Sequence, residues 1–194
     1  MKKLALGVAL GLLATAPVFS QIVDPLQSDT LIKKTINEPG TAYTFYGSGY
    51  TQKQMKDADL PGGVFVRIDV SQKGGHPWDV GGGYPILKPI KAGDVIFFAI
   101  YARAPNLKNG ETALLPQIGV GQNGSPYTPI AIADKQITNQ WAVYYVSGKA
   151  TSAWHRDESH VAMQLAADKQ VIDLGPVFVL DLGPDYDINT LPHN

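Results

Sequence analysis

Three observations predict that this chain folds as an all-β, single-domain sandwich. Apolar runs rich in valine, isoleucine and aromatic residues recur roughly every ten residues, the spacing of a strand plus its turn. Turn signals separate them, drawn from 20 glycines and 14 prolines, and they interrupt any longer apolar period. No heptad, internal repeat or domain-dividing linker is present. A two-layer β architecture is what remains.

The elements follow in order. Residues 21–40 are polar and weakly periodic, an irregular lead-in or a first edge strand. Residues 41–46 read as a short strand closed by Gly47-Ser48-Gly49. Residues 53–58 are the one helix-compatible patch, ended by Pro61-Gly62-Gly63. Residues 64–70 alternate, with Val64, Val66, Ile68 and Val70 on one face and Phe65, Arg67 and Asp69 on the other. A turn at Gly74-Gly75-His76-Pro77 leads into Trp78-Asp79-Val80, which Gly81-Gly82-Gly83 breaks before Tyr84.

The segment 90–103 is the plainest strand. A Lys91-Ala92-Gly93-Asp94 turn launches a β-branched and aromatic run that stops before Pro105, where ladder pairing ends. After a loop at 107–112, residues 113–120 form a strand with Gln117 opposite Ile118 and Val120. Asn123-Gly124-Ser125-Pro126 turns the chain. Short strands follow at 130–133 and 141–147, then a polar loop over 149–159 that carries Trp154-His155-Arg156. Residues 161–166 place Val161, Met163 and Leu165 inward, and His160 and Gln164 outward. Strands at 171–174 and 176–182 close the domain, leaving residues 183–194 as a tail with no core to join. Eight to ten strands of this kind predict a β-sandwich or jelly roll.

The amino terminus bears on compartment. Met1-Lys2-Lys3 is followed by an apolar run over 4–14, and Val18 and Ser20 stand at −3 and −1 of a cleavage site before Gln21. That is the anatomy of a signal peptide over residues 1–20, and the run is shorter than the roughly 20 residues that span a bilayer. The predicted organisation is therefore leader 1–20, domain 21–183 and tail 184–194, exported to the periplasm or the medium. With no cysteine, disulfide staples, thiolate catalysis and Cys-based metal sites are all excluded. Sixteen basic against 17 acidic residues, with no basic block, argue against nucleic acid or anionic membrane as a partner.

Catalytic signatures are sparse. His76, His155, His160 and His193 lack metal-ligand spacing, and Gly47-Ser48-Gly49 lacks the strand and helix of a nucleophile elbow. Asp69, Asp79, Asp94, Asp173 and Asp181 are carboxylates by type, but strand ends and turns account for them.

Four segments in order carry a resemblance. They are Pro77-Trp78-Asp79-Val80; the stretch from Pro89 through Lys91-Ala92-Gly93-Asp94-Val95 to Ala104; Thr138-Asn139-Gln140-Trp141; and the closing stretch 170–183. Together they resemble the family 4/9 carbohydrate-binding modules, galactose-binding-like jelly rolls attached to secreted xylanases and related glycoside hydrolases. The resemblance implies a non-catalytic domain whose partner is a polysaccharide or oligosaccharide. Two other classes stay open: a structural or protein-interaction sandwich of the cell envelope, and a small β-sandwich glycoside hydrolase or polysaccharide lyase.

Sugar binding needs an aromatic ring under the pyranose and planar polar groups beside it. Trp78 and Tyr84 bracket the Gly81–Gly83 segment as a rim platform, or Trp78 packs beneath it. Trp154 sits in a polar loop and is read as a binding ring, whereas Trp141 starts a strand and is read as core. The resemblance places Gln117, His160 and Gln164 on the concave face; the alternative is a solvated strand face. Arg103 lines the groove or pairs with a carboxylate. The resemblance further implies a structural calcium near the terminal strands, with Asp181 as its one identifiable ligand; no other cofactor is required.

Overall fold

The computed structural model describes residues 29–194, so the leader expected over 1–20 lies outside the described residues. A one-turn helix α1 (Asp29–Ile32) precedes ten strands. These are β1 (Thr44–Gly47), β2 (Tyr50–Lys56), β3 (Val64–Val70), β4 (Val80–Pro85) and β5 (Val95–Arg103). The second half supplies β6 (Ala113–Gln122), β7 (Pro129–Ile137), β8 (Ala142–Lys149), β9 (Ser159–Gln164) and β10 (Gln170–Asp181). They form two five-stranded antiparallel sheets, in the orders β1-β4-β9-β6-β7 and β2-β3-β10-β5-β8. Expected all-β sandwich and observed architecture agree.

Alternation explains the main core. Val66, Ile68 and Val70 of β3, and Ile96, Phe98 and Ile100 of β5, face Val161 and Met163 of β9 and Ile118 and Val120 of β6 across the sandwich. The strand β5 is buried along nearly its whole length because its other face is covered as well. Phe65, Phe97, Tyr101, Trp141, Val143 and Tyr145 form a second apolar layer on the outer side of the second sheet.

Three local expectations are corrected. The helix-compatible patch 53–58 lies mostly in β2, which pairs with β3 over Tyr50–Lys56. Ladder pairing outweighs the helical propensity of Gln, Met and Lys here. Gly81, Gly82 and Gly83 do not break a strand but run through β4, paired with β1 on one side and β9 on the other. The closing segment does join a core: Leu191 is buried in the second apolar layer with Ile188 beside it. Asn194 completes the attachment at the edge of β8, its Nδ2 donating to the Val143 carbonyl (2.7 Å) and its Oδ1 accepting from the Tyr145 N–H (3.1 Å). Lys135 Nζ donates to the Asn194 main-chain oxygen.

A buried carboxylate ties the second sheet together. Asp173 is wholly buried and accepts from Arg67 Nε (2.6 Å) and Nη2 (2.8 Å) and from Arg103 Nε (2.8 Å). The Arg103 guanidinium lies 4.4 Å from the Trp141 ring centroid, and Trp141 Nε1 donates to Asp57 (2.8 Å). That bond, more than any other influence, lowers the Asp57 pKa. Charge, hydrogen bonds and cation–π contact are all satisfied within the network, which is what keeps a buried ion from destabilising the fold.

Candidate functional site: a glycine-floored face on the first sheet

The register of the first sheet fixes what its outer face presents. One rung runs Tyr46–Gly81–Gln164, the next Thr44–Gly83–Ala162–Gly119–Ile132, and a third Pro85–His160–Gly121. The interleaved residues, among them Met163, Val161 and Val120, are in the core. Because side chains alternate across a strand, four glycines and an alanine stand where outward side chains would rise. The result is a low floor with taller residues on both flanks.

On one flank Tyr46 lies flat over its rung partner. An added methyl at Gly81 would stand 2.2 Å from the Tyr46 Oη, so the ring occupies the space that glycine leaves. Tyr46 is nevertheless 53% exposed, so its other face is open. Burial raises its phenol pKa, and the Tyr127 phenol is near enough to raise it further. On the other flank Ile132 packs over Gly121 in the same manner.

Tyr127 belongs to the β6–β7 turn and is 69% exposed. Its φ of +58° lies in the left-handed region, where bulky residues are uncommon, and such strain is often held at functional positions. Trp78 stands at the head of β4, 52% exposed, with its ring stacked on His76 at 4.5 Å and 7°. Asp79 holds that turn by accepting the His76 N–H at 2.9 Å. Three exposed aromatic rings thus belong to the strands and turns that frame one floor.

The floor carries two polar groups on β9. His160 is half-buried and its Nδ1–H donates to Asn123 Oδ1 (2.8 Å), while Asn123 Nδ2 donates to the Asp157 carbonyl (3.4 Å). With the hydrogen on Nδ1, His160 Nε2 is an acceptor. Burial lowers its pKa and so favours that neutral state. Gln164 lies four residues along, half-buried on the same side of the strand.

The predicted site residues divide accordingly. His160 and Gln164 stand on this face four residues apart on β9, and Trp78 precedes β4 where the Ala166 N–H donates to the Pro77 carbonyl (2.9 Å). Gln117 lies nearby at the β6 bulge, exposed, at φ +53°, its N–H donating to Asp134 (3.0 Å). Tyr84 does not join them: it is 4% exposed, packed edge-on against Tyr43, its hydroxyl donating to the Glu38 carbonyl (2.8 Å). Glycine gave β4 continuity, and alternation then turned Tyr84 inward. Trp154 is also core, at 7% exposure, because a bridge with Ile90 draws its loop onto the sandwich (two N–H···O bonds of 2.9 Å). Arg103 is on the opposite sheet and pairs with Asp173, the second of the alternatives left open for it. Trp141 is buried as expected, though on the outer side of the second sheet.

Sequence reasoning missed Tyr46, Tyr127 and Asn123. A signal was present for Tyr127, a large ring amid the small turn residues Asn123-Gly124-Ser125-Pro126. For Tyr46 the signal lay in the triple glycine of β4, which is legible only once the two are known to pair.

The implied calcium ligand Asp181 ends β10, where burial first and then the neighbouring Asp94 raise its pKa, opposed by the Gly183 N–H and the charge of Lys34. Among the described residues no group of three or more His, Cys, Asp or Glu is placed to hold a metal ion.

No family model and no curated protein matches this chain. Solved structures do match. The second N-terminal cellulose-binding domain of Cellulomonas fimi β-1,4-glucanase C superposes with a TM-score of 0.55 at 18% identity, covering 76% of this chain and 94% of that one. The CBM22-1 xylan-binding domain of Paenibacillus barcinonensis Xyn10C gives 0.51 at 14%, covering 77% and 92%. An arabinose-bound GH51 α-L-arabinofuranosidase gives 0.54 at 14% over 76% of this chain, which spans 25% of that enzyme. At these identities the likeness is one of architecture: the chain has the jelly-roll sandwich fold of carbohydrate-binding modules.

Proposed function

We propose that this chain is an exported, non-catalytic carbohydrate-binding protein that holds a neutral poly- or oligosaccharide on the outer face of its first sheet. The observation that carries the reading is three exposed rings, Tyr46, Trp78 and Tyr127, framing a floor stripped of side chains. Rings offer their faces to the apolar side of a pyranose. The floor is open at Gly83 and Ala162, where a chain can approach the backbone, and His160 Nε2 and the Gln164 carboxamide meet its hydroxyls. None of the residues in the three rungs is charged at neutral pH, which fits a neutral sugar better than a uronate. That the similar solved structures include a cellulose-binding and a xylan-binding domain supports the reading. The leader read in residues 1–20 supports export.

The test is a glycan array and affinity electrophoresis with neutral and acidic polysaccharides. Retention by at least one neutral polysaccharide, with micromolar-to-millimolar affinity, is expected. Failure to be retained by any would overturn the reading in favour of a structural or protein-binding sandwich.

A further inference from the structure

The His160 ring of the glycine-floored face is held by the neighbouring β6–β7 turn, and the residue that holds it is Asn123. The Asn123 side chain makes two bonds of opposite polarity. Its Oδ1 accepts the His160 Nδ1–H at 2.8 Å, and its Nδ2 donates to the Asp157 carbonyl at 3.4 Å. The second bond orients the first. A carboxamide turned the other way would set its oxygen against the Asp157 carbonyl, where neither group has a hydrogen to give. Facing an oxygen that can only accept, His160 carries its hydrogen on Nδ1. Nε2 is then a bare lone pair, and among the described residues no protein hydrogen bond occupies it.

The backbone of the turn is fixed without that side chain. The Asn123 N–H donates to the Glu158 carbonyl (2.8 Å), the Gln122 N–H to Thr128 (2.8 Å) and the Tyr127 N–H to Gly124 (2.7 Å). The carboxamide is therefore spare for His160, and the exposure of Asn123 leaves room for substitution. His160 forms no ion pair among the described residues. In register beside it stand Pro85 of β4 and Gly121 of β6. The charges of the adjoining turn are engaged elsewhere: Asp157 lies 3.5 Å from Arg156, and the Glu158 carboxylate accepts the His155 N–H at 2.8 Å.

We propose that Asn123 is a positioning residue of the binding face: through the relay from the Asp157 carbonyl to Asn123 to His160 it fixes Nε2 as an acceptor, so that the face takes a ligand hydroxyl there. An aspartate at this position would keep the shape and reverse the logic. Its carboxylate beside Nδ1 favours the imidazolium, which turns Nε2 into a donor. The inference rests on the proposed glycan site for its ligand but not for the state of the ring.

Long-range proton–nitrogen spectra of the His160 ring in the full chain, free of ligand, test the relay in the wild type, Asn123→Asp and Asn123→Ala. Above its pKa the wild-type ring should show a protonated Nδ1 and an unprotonated Nε2. Asn123→Ala should lose that one-sided pattern, and Asn123→Asp should raise the His160 pKa by about one unit or more. A protonated Nε2 in the neutral wild type would overturn the proposal. So would a wild-type pattern kept in Asn123→Ala or an unmoved pKa in Asn123→Asp, the outcomes expected if Asn123 only braces the turn. Binding is read separately, by titrating the polysaccharide that affinity electrophoresis retains. Its acid loss of affinity should move up with the ring pKa in Asn123→Asp; a loss that stays at the wild-type pH means that Nε2 does not serve the ligand, and the proposal fails. Retention of no polysaccharide by the wild type overturns the glycan reading alone, and the ring spectra still decide what Asn123 does.

Discussion

Tyr46 and Gly81 share one rung of the first sheet, and the position of the ring depends on the absence of a side chain beside it. Gly81→Ala is therefore expected to lift the ring off the floor while leaving the strand paired, because the clash falls on the far end of a movable side chain. Its affinity for the retained polysaccharide should fall about as far as that of Tyr46→Ala, on the order of tenfold. Isothermal titration with circular dichroism separates that loss from unfolding. An unaltered affinity in Gly81→Ala alongside a weakened Tyr46→Ala would show that the flat pose is irrelevant. His160 adds a pH signature. Burial lowers its pKa, so the unfolded chain binds the proton before the folded one does as pH falls below about 6.5. Its stabilising contribution is present above that pH and is lost as pH falls through the lower folded value. Protonation also turns Nε2 from acceptor to donor, so binding should weaken in the same acid range. A titration of Kd against pH, in which His160→Gln flattens the acid limb, checks this.

At the scale of elements, strands buried on a regular period were legible and those whose character comes from a neighbour were not. The strand β5 announces itself through its Gly-Asp turn and continuous apolar run. The strand β2 does not, since five of its seven residues are exposed and only pairing with β3 makes it a strand. The glycines of β4 read as a break because local propensity carries no information about the ring that covers Gly81. For the same reason Trp78, His160 and Gln164 were singled out from local context, while Tyr46 needed the ladder. Tyr84 and Trp154 were misplaced because alternation and a long-range bridge, not loop polarity, decide which way a ring points. The Arg67–Asp173–Arg103 network belongs to this scale as well. Asp173→Ala strands two arginines over an apolar layer, and breaking such a buried pair costs about 3 kcal/mol. A fall in Tm of roughly 6–12 °C follows for a chain of this size. Glycan affinity at a temperature where the variant is folded should be unchanged, since the network is on the other sheet.

The two outer faces of the molecule differ in how they are covered. The second sheet's outer face is aromatic, yet the chain covers it with Leu60 and the closing segment, and Asn194 satisfies the edge of β8. A covered edge resists pairing with other chains. The first sheet's outer face carries glycines where a structural face would carry side chains, and it leaves Tyr46 exposed and Gly83, Ala162, His160 and Gln164 part-exposed. Aromatic content alone points to the second sheet; exposure points to the first. The most direct measurement is an amide chemical-shift titration of the isotope-labelled chain with an oligosaccharide of the retained polysaccharide. The account predicts that Tyr46, Gly81, Gly83, Asn123, Tyr127, His160 and Gln164 shift with a common Kd while Phe97, Arg103, Val143 and Tyr145 stay still. Shifts confined to the second sheet or to Trp154, with the glycine-floored rungs unmoved, would contradict it.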